Sequence, residues 1–174
     1  MKKLISILLI AITLLGLTAC QSGDPASTPN STPSSSQNST PNTPKELVLS
    51  NVYTAMTAKA QMPEMMRVEE DRLLDLYGIK AEQYKQVEVY LCVNSLRADE
   101  IWLIEATDED TLAALKKLAE FRLTTKDEES VTYSPEQNAV VKKAHLATYG
   151  NYLVMIVSPD VETITAAFKT EAGV

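Results

Sequence analysis

Four apolar stretches of the chain have the spacing of β-strands. Val87–Val93 alternates apolar and polar side chains, which is the period-two signature of a strand with one buried face. Ile101–Ala106 is apolar at almost every position and is predicted to be a central strand. Val140–Thr148 has mixed polarity, whereas Tyr152–Val157 is strongly β-prone. The pattern predicts two hairpins, the second of which turns at Gly150.

Two helices are predicted before the first hairpin. Residues 43–46 form a capping box with proline at the first helical position. The apolar residues that follow recur at helical spacing and should share a face: Val48, Val52, Ala55 and Met56. Lys59 continues this face at its solvent-exposed end. Pro63 should break this helix. A second helix is predicted over Glu69–Tyr77, with Leu73, Leu74 and Tyr77 inward and Gly78 as its left-handed stop.

A helix should also follow each hairpin. The third begins at Thr107 or Asp108, and its buried face is expected to hold Leu112, Leu115, Leu118, Ala119 and Arg122. Residues 134–137 read Ser-Pro-Glu-Gln, a second capping box, and predict a short helix. Residues 158–160 start the last helix, with Val161, Ile164, Thr165 and Phe168 inward.

The order of these elements predicts the fold class. Two ββα units follow the N-terminal helices, about 52 residues apart, with strand, acidic cap and helix in the same sequence. The simplest arrangement is an α+β domain with a four-stranded antiparallel sheet, additional N-terminal helices and helices packed on the sheet.

The N-terminus has a different pattern. Lys2 and Lys3 precede an apolar stretch from residue 4 to 17, and Leu-Thr-Ala then leads to Cys20. This order resembles a bacterial lipoprotein signal, which implies cleavage after residue 19 and a lipid on the Cys20 thiol. The apolar stretch is shorter than the ~20 residues that span a bilayer, so a signal is favoured over a transmembrane helix. Two acyl chains would suffice as an anchor.

The composition divides the chain into three parts. After the signal peptide at 1–19, residues 20–44 hold the lipidated cysteine and a Ser/Thr/Pro/Asn-rich segment with five of the eight prolines. We expect that segment to be a disordered linker, since it has almost nothing to bury. Residues 45–174 form a single predicted domain, long enough for its own core.

Charge and cysteine content restrict the partners. The chain beyond Cys20 keeps 14 of the 16 basic residues and all 23 acidic ones, a formal charge of −9. Such a surface argues against nucleic acid as a partner. The second cysteine, Cys92, has no partner in the chain, and we expect an inert thiol in a buried strand.

The sequence contains no recognisable catalytic or metal-binding pattern. His145 is the single histidine and is expected at a solvated edge position, so neither a catalytic triad nor a zinc site is indicated. No cofactor is expected. One unusual cluster remains: Met62, Pro63, Met65 and Met66. Its alternatives are packing under a loop, a surface that binds a partner, and a soft-metal site.

Several segments together resemble a known family. They are Met62–Met66 (MPEMM), Asp75–Ile79 (DLYGI), the strand pair around RADEIWLIEA, and GNYLVMIVS before the final helix. In this order they are similar to a domain-of-unknown-function family common among lipoproteins of clostridia and related Gram-positive bacteria. The resemblance covers nearly all of residues 45–174. It implies a lipoprotein and supplies no catalytic residues.

The expected function is therefore a non-enzymatic binding or assembly module at the extracytoplasmic face of the cell membrane. Its partners would be the membrane, through the lipid on Cys20, and a protein at the cell surface. The alternative is an extracytoplasmic ligand sensor or an accessory subunit of a membrane complex, with an enzyme as the third possibility.

The anchor can be tested directly. Cys20→Ala removes the thiol that would accept the lipid, so the protein should accumulate as uncleaved precursor or appear in the medium. Metabolic labelling with a fatty acid and cell fractionation would measure both effects. A variant that stays in the membrane fraction at wild-type size, with its lipid label intact, would contradict the lipoprotein interpretation.

Overall fold

The computed structural model describes residues 47–174, apart from the side chain of Tyr133. The predicted signal peptide at 1–19, Cys20, the predicted linker at 20–44 and the first predicted capping box therefore lie outside the described residues.

A five-stranded antiparallel sheet forms the centre of the fold. Its strands are β1 (Met65–Arg67), β2 (Tyr84–Cys92), β3 (Glu100–Ala106), β4 (His145–Tyr149) and β5 (Tyr152–Val157). Their order across the sheet is β1-β2-β3-β5-β4, and every neighbouring pair is antiparallel. The antiparallel sheet is confirmed, but the predicted number of four strands is wrong. The additional strand, β1, has three residues, too few to show a period in the sequence.

Helices cover both faces of the sheet. They are α1 (Leu49–Thr57), α2 (Glu70–Tyr77), α3 (Glu109–Tyr133), α4 (Pro135–Lys142) and α5 (Val161–Ala172). Side chains of α2, α3 and α4 join one core around Trp102, Ile104 and Met155. Those of α1 and α5 join a second core with Ile101 and Leu103 on the opposite face. The two predicted ββα units are present, and their helices α3 and α5 pack on opposite faces.

Local signals marked several element ends correctly. Asp108 caps α3: its carboxylate accepts from the Thr111 N–H at 2.8 Å, and the Thr111 hydroxyl accepts from the Asp108 N–H at 3.1 Å. Gly78 ends α2 at a φ of 73°, in the left-handed region. The hairpin turn at Gly150 and the bounds of β5 are also confirmed.

The predicted strand over 140–148 is wrong in its first half. Residues 140–142 are the last turn of α4, and β4 begins only at His145. Pro135 begins α4 with the fixed φ that suits a first helical position, and Val141 points into the core from a helix. A short run with two valines fits either period, so the sequence pattern did not separate helix from strand.

Three residues predicted inward are exposed. Val48 precedes α1, Leu74 lies on the outer side of α2, and Val93 follows the end of β2; each keeps about half of its surface in solvent.

Gln86 on β2 holds the start of the described chain. Its amide nitrogen donates to the Leu47 carbonyl at 2.8 Å and to the Glu105 carboxylate at 2.9 Å. Its amide oxygen accepts from the Leu49 N–H at 3.1 Å. One side chain on the sheet therefore fixes the direction in which the chain enters α1.

A matched pair of leucine substitutions tests the burial of the central strand. Leu103 is fully buried on β3, whereas Leu74 is 53% exposed. Leu103→Ala should lower the free energy of unfolding by about 2 to 5 kcal/mol because it leaves a cavity. Leu74→Ala should stay within about 0.5 kcal/mol. Urea denaturation measures both, and similar costs at the two positions would overturn the assignment of β3 as central.

Candidate functional site

The structure separates the four residues of the predicted partner surface. Met62 packs against the second core, with its sulfur 4.0 Å from the Ser158 hydroxyl. Pro63 and Met65 are half-buried, and only Met66, on β1, is exposed, at 56%. Met66 therefore presents the largest open apolar surface of the set, and a partner surface here stays a prediction.

Cys92 ends β2 opposite Met65, and it is half-buried with a free thiol. It is therefore in the predicted strand but less enclosed than expected. Among residues 47–174, no group of three or more His, Cys, Asp or Glu side chains is arranged to hold a metal ion. None of the helices in this part of the chain combines the length and apolar character needed to cross a bilayer.

The most unusual polar feature is a buried carboxylate. Glu100 begins β3 with no exposed surface. Arg122 on α3 donates to it from Nε at 3.1 Å and from Nη2 at 2.9 Å, and Lys126 Nζ lies 2.9 Å from Oε2. Trp102 Nε1 donates to Oε1 at 2.7 Å. A buried charge requires such partners, and two cations one helical turn apart converge on this one carboxylate.

Aromatic rings enclose this cluster on one side. Tyr77 packs edge-on against Trp102, with ring centroids 4.8 Å apart, and the Arg122 guanidinium lies 5.5 Å from the Tyr77 ring centre. Burial raises the pKa of the Tyr77 phenol well above its usual value, and the Glu100 charge adds to the shift. The phenol is therefore neutral at physiological pH.

The sequence contained part of this signal. Arg122 falls on the predicted buried face of α3, and a cation on a buried face needs an anion. The sequence could not show which carboxylate pairs with Arg122, because Glu100 lies 22 residues away along the chain.

A cavity of about 410 Å³ lies beside Lys126, between α3, α4 and the loop before β3. Arg97 on its wall holds the buried Asp99 carboxylate at 2.9 Å. Gln137 also lines the cavity, and its side-chain oxygen accepts from the Ala98 N–H at 2.8 Å. Ser134 makes no side-chain cap, so the predicted capping box at residues 134–137 is wrong: Gln137 instead binds the loop to α4.

A second concave surface, which we term the β4–α5 groove, has a volume of about 610 Å³. Its lining comes from residues 143–145 and from one side of α5: Val161, Glu162, Thr165, Ala166 and Lys169. Helical residues four apart lie on the same side, so this part of α5 runs alongside the start of β4 as a continuous wall.

The groove contains the single histidine. His145 lies on an edge strand, as predicted, but is half-buried, and its Nε2 is 3.2 Å from the Tyr149 hydroxyl. Burial lowers the pKa of His145, and the nearby Lys169 lowers it further. The imidazole is therefore neutral at pH 7, while Lys143 and Lys169 supply positive charge.

Thr165 lines the groove, and its hydroxyl oxygen is buried beneath the surface. The threonine hydroxyls of Thr54, Thr124 and Thr170 donate to the carbonyl four residues earlier in their helices. The Thr165 hydroxyl oxygen is buried and has no hydrogen-bond partner. A buried hydroxyl without a partner costs about 1 to 3 kcal/mol.

Comparison with known proteins places the chain in a family. Residues 58–158, more than half of the 174, match the family DUF4358, which is described as a domain of unknown function. No curated protein and no solved structure matches the chain.

The buried carboxylate yields a test. Glu100→Gln should lower the free energy of unfolding by about 3 to 5 kcal/mol, because it leaves two enclosed cations without their anion. Adding Lys126→Met to that variant should recover part of the loss, since it removes one of those cations. Denaturation of both single variants and the double variant would measure the coupling. Strictly additive costs would show that Lys126 and Glu100 do not stabilise each other.

Proposed function

We propose that this chain, which belongs to the DUF4358 family, is a Gram-positive lipoprotein whose folded domain is a non-enzymatic binding or assembly module. The lipid on Cys20 would hold it at the extracytoplasmic face of the membrane. Support for the anchor comes from the basic, apolar and small residues that precede Cys20 in order. The domain needs no cofactor for this role.

The β4–α5 groove is the observation that carries the binding function. It combines an open concavity, the edge strand of a sheet and two lysine side chains, Lys143 and Lys169. A bound partner could use all three, through side-chain packing, backbone pairing and charge. The groove is shallow and wide at its mouth, which suits a macromolecular partner better than an enclosed small substrate.

The cavity beside Lys126 favours the second candidate, an extracytoplasmic ligand sensor or an accessory subunit of a membrane complex. Arg97, Lys126 and Glu129 line it together with serine hydroxyls, and the two cations also bind the buried carboxylates of Asp99 and Glu100. A small polar ligand could bind there and draw the loop before β3 toward α4.

Site-specific photocrosslinking in intact cells distinguishes these surfaces. A photoreactive amino acid would replace Ala166 in the groove, Leu96 at the mouth of the cavity, or Met66 on the predicted partner surface. All three positions are exposed. Glu128, also exposed and on α3, is the control position. The proposal expects a discrete protein adduct from Ala166 and none from Glu128, as measured by blotting and mass spectrometry.

The other outcomes are equally specific. An adduct from Met66 alone would move the binding function to the predicted methionine surface. A low-mass adduct from Leu96 alone would support the ligand sensor. Equal labelling from all four positions, or adducts from none, would contradict a binding module in this domain.

A further inference from the structure

The edge strand β4 has backbone groups that point away from the sheet. The Ala106 N–H donates to the Asn151 carbonyl, so residues 151, 153, 155 and 157 bond toward β3. The alternate residues of β5 therefore bond toward β4, where they face His145, Ala147 and Tyr149. By the same alternation, the N–H and C=O groups of Leu146 and Thr148 point outward. No strand within residues 47–174 pairs with them.

The two edges of the sheet differ in their protection. At the opposite edge, β1 has only three residues, and its Arg67 is held by Glu88 at 2.8 Å. Short strands and charged side chains are the usual protection against strand addition. In contrast, β4 has five residues, an unbroken register with β5, and no proline, lysine or carboxylate within its bounds.

The groove lies on the side of the sheet where an added strand would need it. His145, Ala147 and Tyr149 pair with β5 residues that face α5, so alternate side chains of a strand beside β4 would point toward the same helix. On that side they would meet the side chains of Thr165, Ala166 and Lys169, which line the groove. Backbone pairing and a side-chain groove are the two parts of peptide recognition by strand addition.

The charge of the β4–α5 groove indicates which kind of segment would bind there. The groove places Lys143 and Lys169 against one carboxylate, Glu162, and Lys142 is exposed next to it. This local excess of positive charge occurs in a chain whose formal net charge is −7. A bound segment that carries carboxylates would complement it.

Two other occupants fit this charge less well. The β4 strand of a second copy contains no carboxylate. Residues 21–44 contain a single carboxylate, Asp24, and five prolines, each of which lacks the N–H that strand pairing uses. Neither segment would use the lysines of the groove.

We propose that an extended, carboxylate-bearing peptide segment of another protein adds to β4 as a sixth strand, with alternate side chains in the β4–α5 groove. This inference rests on the proposed binding function and names the chemistry of its partner.

Defined peptides test the proposal on the full chain in detergent. The probe is a fluorescent octapeptide that alternates Glu with Val, and a Lys-Val octapeptide is its matched control. Anisotropy titration should give saturable binding for the first and at least tenfold weaker binding for the second. N-methylation of every second amide in the Glu-Val peptide should weaken binding at least tenfold, because the peptide then loses its backbone donors on one edge.

Variants of the protein locate the site. Lys169→Glu should weaken binding at least tenfold, whereas Lys117→Glu, at an exposed position on α3, should leave it within twofold. Thr148→Pro removes an outward N–H without removing a bond to β5, so it should abolish binding while the melting temperature changes little. If Thr148→Pro fails to fold, the N-methylated peptide and Lys169→Glu still decide the question.

Four results would overturn the proposal. Unchanged binding of the N-methylated peptide would exclude strand addition, and equal binding of the Lys-Val peptide would exclude an acidic occupant. A dimer in sedimentation that Thr148→Pro disrupts would assign the edge to a second copy. Tighter peptide binding after replacement of residues 21–44 by a Gly-Ser segment of equal length would assign the groove to the chain itself.

A failure of the acidic-strand proposal can be distinguished from a failure of the proposed binding function. An adduct from Ala166 in cells, without binding of the Glu-Val peptide, would overturn the acidic strand and leave the binding module. Absence of the Ala166 adduct and of Glu-Val peptide binding would overturn both the acidic strand and the binding module.

Discussion

The pairing of Glu100 with Arg122 and Lys126 is the constraint on which one half of the fold depends. A carboxylate with no exposed surface would be costly alone, and its two cations tie the first residue of β3 to the middle of α3. Apolar packing tolerates small shifts between helix and sheet, but these hydrogen bonds require one register. The cluster therefore fixes where α3 lies along the sheet, and with it the wall of the cavity beside Lys126.

The opposite face is organised differently. There α1 and α5 pack through aliphatic and aromatic side chains, and Phe168 and Ile164 are fully buried against β5. The carboxylates of Glu88 and Glu105 on this face pair with Arg67 and Lys85, and their side chains keep 12% and 14% of their surface exposed. The polar groups gather at its margin instead, where His145, Thr165 and Lys169 line the β4–α5 groove. One face of the sheet thus encloses the Glu100 cluster in its core, while the other face has an apolar core with polar groups at its margin.

Sequence patterns predicted the features that depend on neighbouring residues. Asp108 caps α3 through Thr111, three residues away, and Gly78 ends α2 through its own backbone conformation. Two local predictions failed, the capping box at residues 134–137 and the strand over residues 140–142. The other failures depend on distant partners. β1 exists because β2 pairs with it, and the inward or outward position of Leu74 depends on which layer covers α2. The groove was invisible for the same reason, since His145 and Thr165 meet only after β4 and α5 pack. Arg122 was the exception, because its position on a buried face implied a partner that the sequence could not identify.

The contacts of Gln86 have a mechanical consequence. Tension applied from the N-terminal side enters the described fold at Leu47, where the side-chain amide of Gln86 binds the backbone on both sides of residue 48. The load would fall first on these two hydrogen bonds and on α1, whose side chains pack in the second core. The first core, with the Glu100 cluster, lies on the far side of the sheet from that point. A pulling force that detached α1 would therefore expose the sheet residues beneath it. On the other face, the Glu100 pairing with Arg122 and Lys126 would keep β3 and α3 together.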